Sequence, residues 1–271
     1  MVIPQIIEQV VLGAIQGIAE WLPVSSEGMI ILAKTLIFKS QASFEVMIGE
    51  ALFLHLGSVL AAVVYFRNDI TRLFFSLKHF SDKTHPDRPL LLFLIITTLI
   101  SGMLGLFLIK TAALIIAENP ASTKVLTLII GLCLMITGIV QLIKKEPGSR
   151  LTKNLNAADG IILGIAQGLS VLPGISRSGL TISSLLFRNY NATAAMRLSF
   201  LMSIPIVFMG NIVMNLGGGS FQTEHLIGLA VSFVFSLLTI DFLLKIARKI
   251  NFGSFVLFIA LLVILSVFLP G

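Results

Sequence analysis

The lengths of the apolar runs constrain this chain more than any other feature. A helix crossing the hydrocarbon core of a bilayer needs about 20 predominantly apolar residues. Six segments reach that length or come close: 46–66, 90–109, 123–143, 198–216, 226–244 and 252–269. The longest polar interval between them, 67–89, is too short for a soluble domain. The composition agrees, with 56% hydrophobic and 12% charged residues and a mean hydropathy of +1.00, far from soluble-domain averages. The chain is read as all-α and polytopic, a single integral membrane domain over 1–271.

Two further apolar regions are interrupted. Region 2–38 is broken by Glu20, Pro23, Ser25, Ser26, Glu27 and Gly28, and region 157–187 is broken at Pro173 through Gly179. Each has arms too short to cross around a polar, glycine-containing centre, as expected of a helix pair that dips into the membrane and returns. Non-helical backbone at that depth is tolerated only when buried in protein or lining a wet cavity.

Charge sets the expected orientation. If six segments cross and two are re-entrant, the intervals 67–88, 144–153, 188–197 and 245–249 share one side and hold 14 of the 19 Lys and Arg residues. The positive-inside bias makes that side cytoplasmic and puts both termini outside. The net charge of +6 is thereby explained without nucleic acid. The N-terminal Met-Val-Ile-Pro-Gln lacks the basic region and cleavage site of a signal peptide, so the first apolar stretch is expected to be retained. Cys133 has no partner for an intrachain disulfide and reads as core filler.

The interrupted regions are also related in sequence. Laid without a gap over 163–179, residues 12–28 match at Leu12, Gly13, Gln16, Gly17, Ser25 and Gly28. Similar sequences entering from opposite faces suggest an inverted-topology repeat, about 1–143 and 157–271, whose two breaks meet near the midplane and form the site.

An arginine within an apolar run needs a reason, since a guanidinium at the bilayer centre costs about 2.5–3.5 kcal/mol on insertion scales. Arg177 lies between Ser176 and Ser178, followed by Gly179, with Gln167 and Ser170 leading in. The first break offers Glu20, Ser25, Ser26, Glu27 and Gly28, with Gln16 one helical turn before Glu20. Guanidinium, hydroxyls and helix N-termini suit phosphate, and carboxylates beside phosphates suit a divalent cation, Mg²⁺ or Ca²⁺. Alternatively, Glu20 and Arg177 form a structural ion pair and the serines cap helices. Glu27 reads as a ligand or as a residue facing water at the outer mouth. His55 reads as an acid or base, or, preferred here, as a polar packing residue. Glu45 and Glu50 read as lining the entrance or, preferred here, as capping a helix in contact with solvent, Asp241 and Lys245 are expected to pair at the interface, and His79 and His85 to lie in a solvated loop.

At these residues the chain resembles the BacA-type undecaprenyl-diphosphate phosphatases. The stretch Gln16-Gly17-Ile18-Ala19-Glu20-Trp21-Leu22-Pro23-Val24-Ser25-Ser26-Glu27-Gly28-Met29 is similar to the family's E-G-x-T-E-F-L-P-V-S-S-x-G-H pattern, and Pro173-Gly174-Ile175-Ser176-Arg177-Ser178-Gly179 matches its P-G-x-S-R-S-G pattern. The spacing of the two motifs and the intervening Leu54-His55-Leu56-Gly57-Ser58 extend the likeness over essentially the whole chain. The resemblance implies a multi-pass enzyme of the bacterial cytoplasmic membrane, its site mouth extracytoplasmic. It would remove the terminal phosphate of a long-chain polyprenyl diphosphate, recycle the carrier for cell-wall synthesis and confer bacitracin resistance. It also implies Glu20 as a catalytic or metal-binding carboxylate, Ser26 as a phosphate-contacting or nucleophilic hydroxyl and Arg177 as the phosphate clamp. Ser25, Gly28, Ser176, Ser178 and Gly179 would contact phosphate; a homodimer is left open.

The chain departs from the pattern at Gln16, Ala19 and Met29, where the family has Glu, Thr and His. Glutamine is no base and methionine takes no proton, so the chain is expected to be slow, to use Glu27 or His55 instead, or to carry polyprenyl phosphate across the membrane without hydrolysis. An impaired paralogue belongs to the same alternative, and a purely structural subunit is the remaining one.

Overall fold

The computed structural model describes residues 5–117, 122–143, 148–215, 223–249 and 252–268. Among the described residues there are eleven α-helices: α1 Gln5–Ala19, α2 Ser26–Leu32, α3 Phe44–Tyr65, α4 Arg67–Ser76, α5 Arg88–Ala117, α6 Ser122–Leu142, α7 Ala157–Leu169, α8 Arg177–Phe187, α9 Ala192–Asn215, α10 Thr223–Lys249 and α11 Gly253–Ser266. No strand occurs among the described residues. Five helices, α3, α5, α6, α9 and α10, are long and apolar enough to cross a membrane, which makes this a multi-pass membrane protein. The sixth expected segment is helical, but α11 has 14 residues, about 21 Å at 1.5 Å per residue, short of a full crossing. The expected ends at 216 and 269 lie outside the described residues, as do 144–147 of one basic interval and Met1 to Pro4.

Both interrupted regions form the expected pairs. Helix α1 stops at Ala19 and α2 starts at Ser26, continued by a π-helical turn at Ala33–Ile37; α7 stops at Leu169 and α8 starts at Arg177. The first arm of each pair lies against a long helix from the other half, α1 on α10 and α7 on α5, while α6 packs on α11 and α3 on α9. Glycines allow the first two of these helix pairs to pack closely. A Cβ on Gly17 would lie 2.7 Å from the Ser232 carbonyl oxygen, and one on Gly164 would lie 2.7 Å from Ile100 Cβ. Without a hydrophobic drive between helices in lipid, such backbone proximity supplies the packing.

Ion pairs tie the ends of the helices together. At the basic end, Arg197 pairs with Asp69, Arg150 and Arg188 converge on the fully buried Asp159, and Tyr65 reaches Asp241, which Lys245 pairs at 2.7 Å. The interval 67–89 is more than a solvated loop, because it contains α4; His79 and His85 stack in it with ring centroids 5.3 Å apart. At the opposite end Lys34, 4% exposed, bridges Glu8 and Glu50, and His225 approaches Glu50 at 3.5 Å. Glu50 therefore stitches α3 to its neighbours instead of capping a helix in solvent, a role set by Lys34 arriving from the π-helical turn. Glu45 sits exposed in the first turn of α3, and Cys133 is buried in the core.

Candidate active site

The two breaks meet. Ser25 caps α2 by accepting from the Gly28 N–H (3.2 Å), and the same oxygen accepts from the Gly174 N–H of the other break (3.0 Å). Ser176 caps α8 by accepting from the Gly179 N–H (3.1 Å) and donates to the Val24 carbonyl (3.1 Å). Ser178 donates to the Leu22 carbonyl (3.0 Å). A left-handed backbone at Gly174, φ +100°, turns the second break so that these groups interlock. The N–H groups of Gly28 and Gly179, expected to face phosphate, are thus engaged as caps.

Glu20 and Arg177 pair across this junction. The second Glu20 oxygen accepts from Gln16 Nε2 (3.0 Å) and Ser26 Oγ (3.1 Å), and His55 Nε2 lies 3.3 Å away. Gln16 also donates to Ser58 Oγ at 3.1 Å, so its amide supplies hydrogen bonds to Glu20 where a second carboxylate would bring repulsion. Arg177 donates to the Ser199 carbonyl (3.1 Å) and lies over the Phe200 ring, 5.5 Å from its centroid. The Arg177 side chain is 15% exposed, its guanidinium held by a carboxylate, a carbonyl and an aromatic face.

His55 lines one pocket with Glu20, Ser26 and Arg177. It comes from α3, which runs beside both breaks. Its Nδ1 lies 2.8 Å from the Ala51 carbonyl oxygen; a carbonyl only accepts, so Nδ1 carries the proton. Nε2 then faces Ser26 Oγ at 3.4 Å. Met29, by contrast, is 39% exposed and contributes to neither cavity described here.

A polar pocket of about 40 Å³ is lined by Glu20, Ser25, Ser26, Glu27, His55, Ser170, Arg177 and Ser178, among others, with room for water. It shares Glu27, His55, Ser170 and Arg177 with a largely apolar cavity of about 140 Å³ between α5, α7 and α9. Glu27 is 9% exposed and its Oε1 has no hydrogen-bond partner. Among the described residues no group of three or more His, Cys, Asp or Glu side chains is gathered closely enough to hold a metal alone.

Some scaffold residues escaped the sequence reading. Thr137 accepts from the Ser176 N–H and donates to the Gly174 carbonyl, both at 3.0 Å, and Gln141 reaches the Pro23 carbonyl at 2.5 Å. Two polar residues four apart within the apolar run 123–143 were the available signal.

The profile of the family described as bacitracin resistance protein BacA matches residues 9–265. The chain belongs to this family. It is 40% identical to the undecaprenyl-diphosphatase of Methanococcoides burtonii over 97% of this chain and 98% of the relative. It is 33% identical to the undecaprenyl-diphosphatase of Haloarcula marismortui over 92% of each, and 35% identical to undecaprenyl-diphosphatase 2 of Halalkalibacterium halodurans over 90% of this chain and 88% of the relative. This BacA-family chain thus departs from its motif at Gln16 and Met29 while keeping a carboxylate, a guanidinium, a hydroxyl and an imidazole in one pocket.

Proposed function

We propose that this BacA-family enzyme hydrolyses undecaprenyl diphosphate to the monophosphate and inorganic phosphate, freeing the lipid carrier for reuse. The observation that carries the reading is the contact of Ser26 Oγ with His55 Nε2 beside the Glu20–Arg177 pair, in a polar pocket that opens into an apolar cavity. Ser26 Oγ attacks the terminal phosphorus, its proton turning from Glu20 Oε2 to His55 Nε2 and passing to it, and the bond from phosphorus to the bridging oxygen breaks, releasing the prenyl monophosphate. The imidazolium gives that proton to the departing monophosphate; neutral again, His55 Nε2 takes a proton from water as the water oxygen attacks the phosphoserine, and passes it to Ser26 Oγ as the phosphorus–serine bond breaks and inorganic phosphate leaves. Arg177 offsets charge on the transferring phosphoryl oxygens, and Glu20 stabilises the cation that His55 becomes when it takes the serine proton. Met29 lies outside the pocket, so α3 supplies the imidazole that the motif would otherwise provide.

A divalent cation fits through Glu27 better than through Glu20. Both oxygens of Glu20 are engaged, whereas Glu27 Oε1 is buried and unbonded beside the same pocket. Mg²⁺ is often held by one or two carboxylates together with substrate phosphates and water. Bound there, Mg²⁺ or Ca²⁺ would offset phosphate charge.

The cavity is lined by Ile109 and Val213 in the latter parts of α5 and α9, toward the end opposite the basic loops. This supports a mouth on the extracytoplasmic side. The packing of α1 on α10 and of α7 on α5 supports the repeat reading.

Purified protein, assayed with undecaprenyl diphosphate and Mg²⁺ or Ca²⁺ between pH 5 and 9 (about the range of histidine chemistry), releases inorganic phosphate, and Ser26→Ala removes that release. A wild-type protein that binds the lipid but releases no phosphate under any of these conditions would instead be a carrier.

A further inference from the structure

Glycine in a helix interior destabilises it relative to alanine, so each helical glycine needs a compensating reason. For Gly13, Gly17, Gly57, Gly164 and Gly168 the reason is close packing, since a Cβ on any of them would lie within 3.0 Å of a neighbouring atom. Gly102, Gly105 and Gly210 differ. A Cβ there would meet nothing nearer than Ile206 Cδ1 at 3.6 Å, Val171 at 3.8 Å and Leu52 Cδ2 at 3.9 Å, which are ordinary contact distances. Packing does not require these glycines.

All three line the 140 Å³ cavity. Gly102, Gly105, Leu106 and Ile109 share one face of α5, and Ile206, Gly210 and Val213 share one face of α9, at the three- and four-residue spacings of neighbours on a helix. The inner end of the cavity is polar. Besides Glu27, His55 and Arg177 it includes Gln167, 4% exposed, whose Nε2 donates to Ser101 Oγ (3.1 Å) and the Met202 carbonyl (3.3 Å) while its Oε1 has no partner. At the outer end Met209 and Val213 are 42% and 50% exposed. The cavity therefore runs from unsatisfied buried acceptors, which a hydrated, cation-paired headgroup would serve, to the lipid-facing surface between α5 and α9.

We propose that Gly102, Gly105 and Gly210 are specificity-determining residues that hold open the path of the prenyl chain beyond its first unit, between the polar end of the cavity and the lipid-facing surface. The missing side chains make a slot for a chain carrying methyl branches, and helix stability is given up for that width. This inference rests on the prenyl-diphosphate reading of the pocket.

The test compares isopentenyl (C5), farnesyl (C15) and undecaprenyl (C55) diphosphates on wild type, Gly105→Ala, Gly210→Ala and Gly105→Leu. Because the added Cβ atoms meet ordinary contacts, both alanine variants fold and unfold at a higher temperature than wild type, while their kcat/KM for C15 relative to C5 falls. In Gly105→Leu that ratio falls at least about tenfold, the scale of discrimination expected of a filled apolar pocket. An unchanged ratio in all three variants overturns the proposal, as does a parallel loss on C5 and C15. Should Gly105→Leu not fold, the alanine variants decide by the same ratio. A photoreactive farnesyl diphosphate supplies a readout independent of turnover. It labels peptides of α5 and α9 in wild type and labels them less in Gly105→Ala; no labelling of these helices overturns the proposal. If wild type hydrolyses none of the three substrates, the hydrolase reading falls, while the labelling still decides whether the cavity seats the chain.

Discussion

Ser26 Oγ lies 3.4 Å from His55 Nε2, and the other ring nitrogen of His55 is fixed by the Ala51 carbonyl at 2.8 Å. The serine comes from the re-entrant pair and the histidine from the crossing helix α3, so the packing of the two sets the reactive geometry. A positioned general base contributes typically about 10²- to 10⁴-fold. His55→Gln is expected to lower kcat by that factor with KM within about threefold of wild type, and Ser26→Ala to lower it at least as far. Groups acting as a unit are not additive, so the double variant should be little worse than Ser26→Ala. Steady-state phosphate release checks this; a His55→Gln enzyme retaining half of the wild-type kcat would remove His55 from the mechanism.

Arg177 has a structural task as well as the phosphate one. Its partner Glu20 is 7% exposed, and removing one member of a buried pair costs about 3–5 kcal/mol, because the other charge is left uncompensated. Arg177→Ala should therefore lose stability and turnover together. Adding Glu20→Gln removes the stranded charge, so the double variant recovers much of the thermal stability and none of the activity. Thermal unfolding in detergent, run beside the phosphate assay, separates the two effects. A double variant no more stable than Arg177→Ala would mean that the pair does not hold the breaks together.

The serine caps make a third comparison. Ser25 accepts from Gly28 within its own break and from Gly174 in the other, whereas Ser176 accepts a single backbone N–H, that of Gly179, lies 3.4 Å from Ser178 Oγ and donates across to Val24. Loss of a helix cap costs typically about 1 kcal/mol, and a buried N–H left without a partner adds about 1–3 kcal/mol. Ser25→Ala is expected to be the more damaging of the two. Hydrogen exchange at Gly174 is the specific reporter: it should accelerate in Ser25→Ala and stay near wild type in Ser176→Ala.

Chain length and polarity made much of this arrangement legible beforehand. The broken regions and the meeting of Glu20 with Arg177 follow from residues whose placement in lipid is costly unless it serves something. His55 was harder to place. A lone histidine among leucines and glycine is compatible with ordinary helix packing, and only the rotation of α3 about its axis decides which way it faces. The glycines of the cavity were equally opaque, since a glycine that packs and a glycine that leaves space look alike in sequence. Gln16 was read as a loss because its motif has glutamate there; the hydrogen bonds it donates to Glu20 and Ser58 give the amide a use of its own.

Packing glycines can be told apart by what they touch. A Cβ on Gly138 of α6 would lie 2.7 and 2.8 Å from Leu257 Cγ and Cδ2 of α11, side-chain atoms that a smaller residue lacks; a Cβ on Gly17 of α1 would lie 2.7 Å from the Ser232 carbonyl oxygen, which no substitution removes. Overpacking a tight contact costs typically about 1–3 kcal/mol, so Gly138→Ala and Gly17→Ala should both lower the unfolding temperature. Leu257→Ala should restore part of the loss in Gly138→Ala, because trimming the leucine removes the two shortest contacts and leaves the Leu257 backbone N at 3.0 Å. Ser232→Ala should restore nothing in Gly17→Ala, where the helices themselves would have to separate. Because α1 leads directly into Glu20, that separation should also cost turnover, whereas Gly138→Ala with Leu257→Ala keeps it. Thermal unfolding and phosphate release measured on the four variants check both halves of the comparison, and rescue of Gly17→Ala by Ser232→Ala would contradict the backbone contact as its cause.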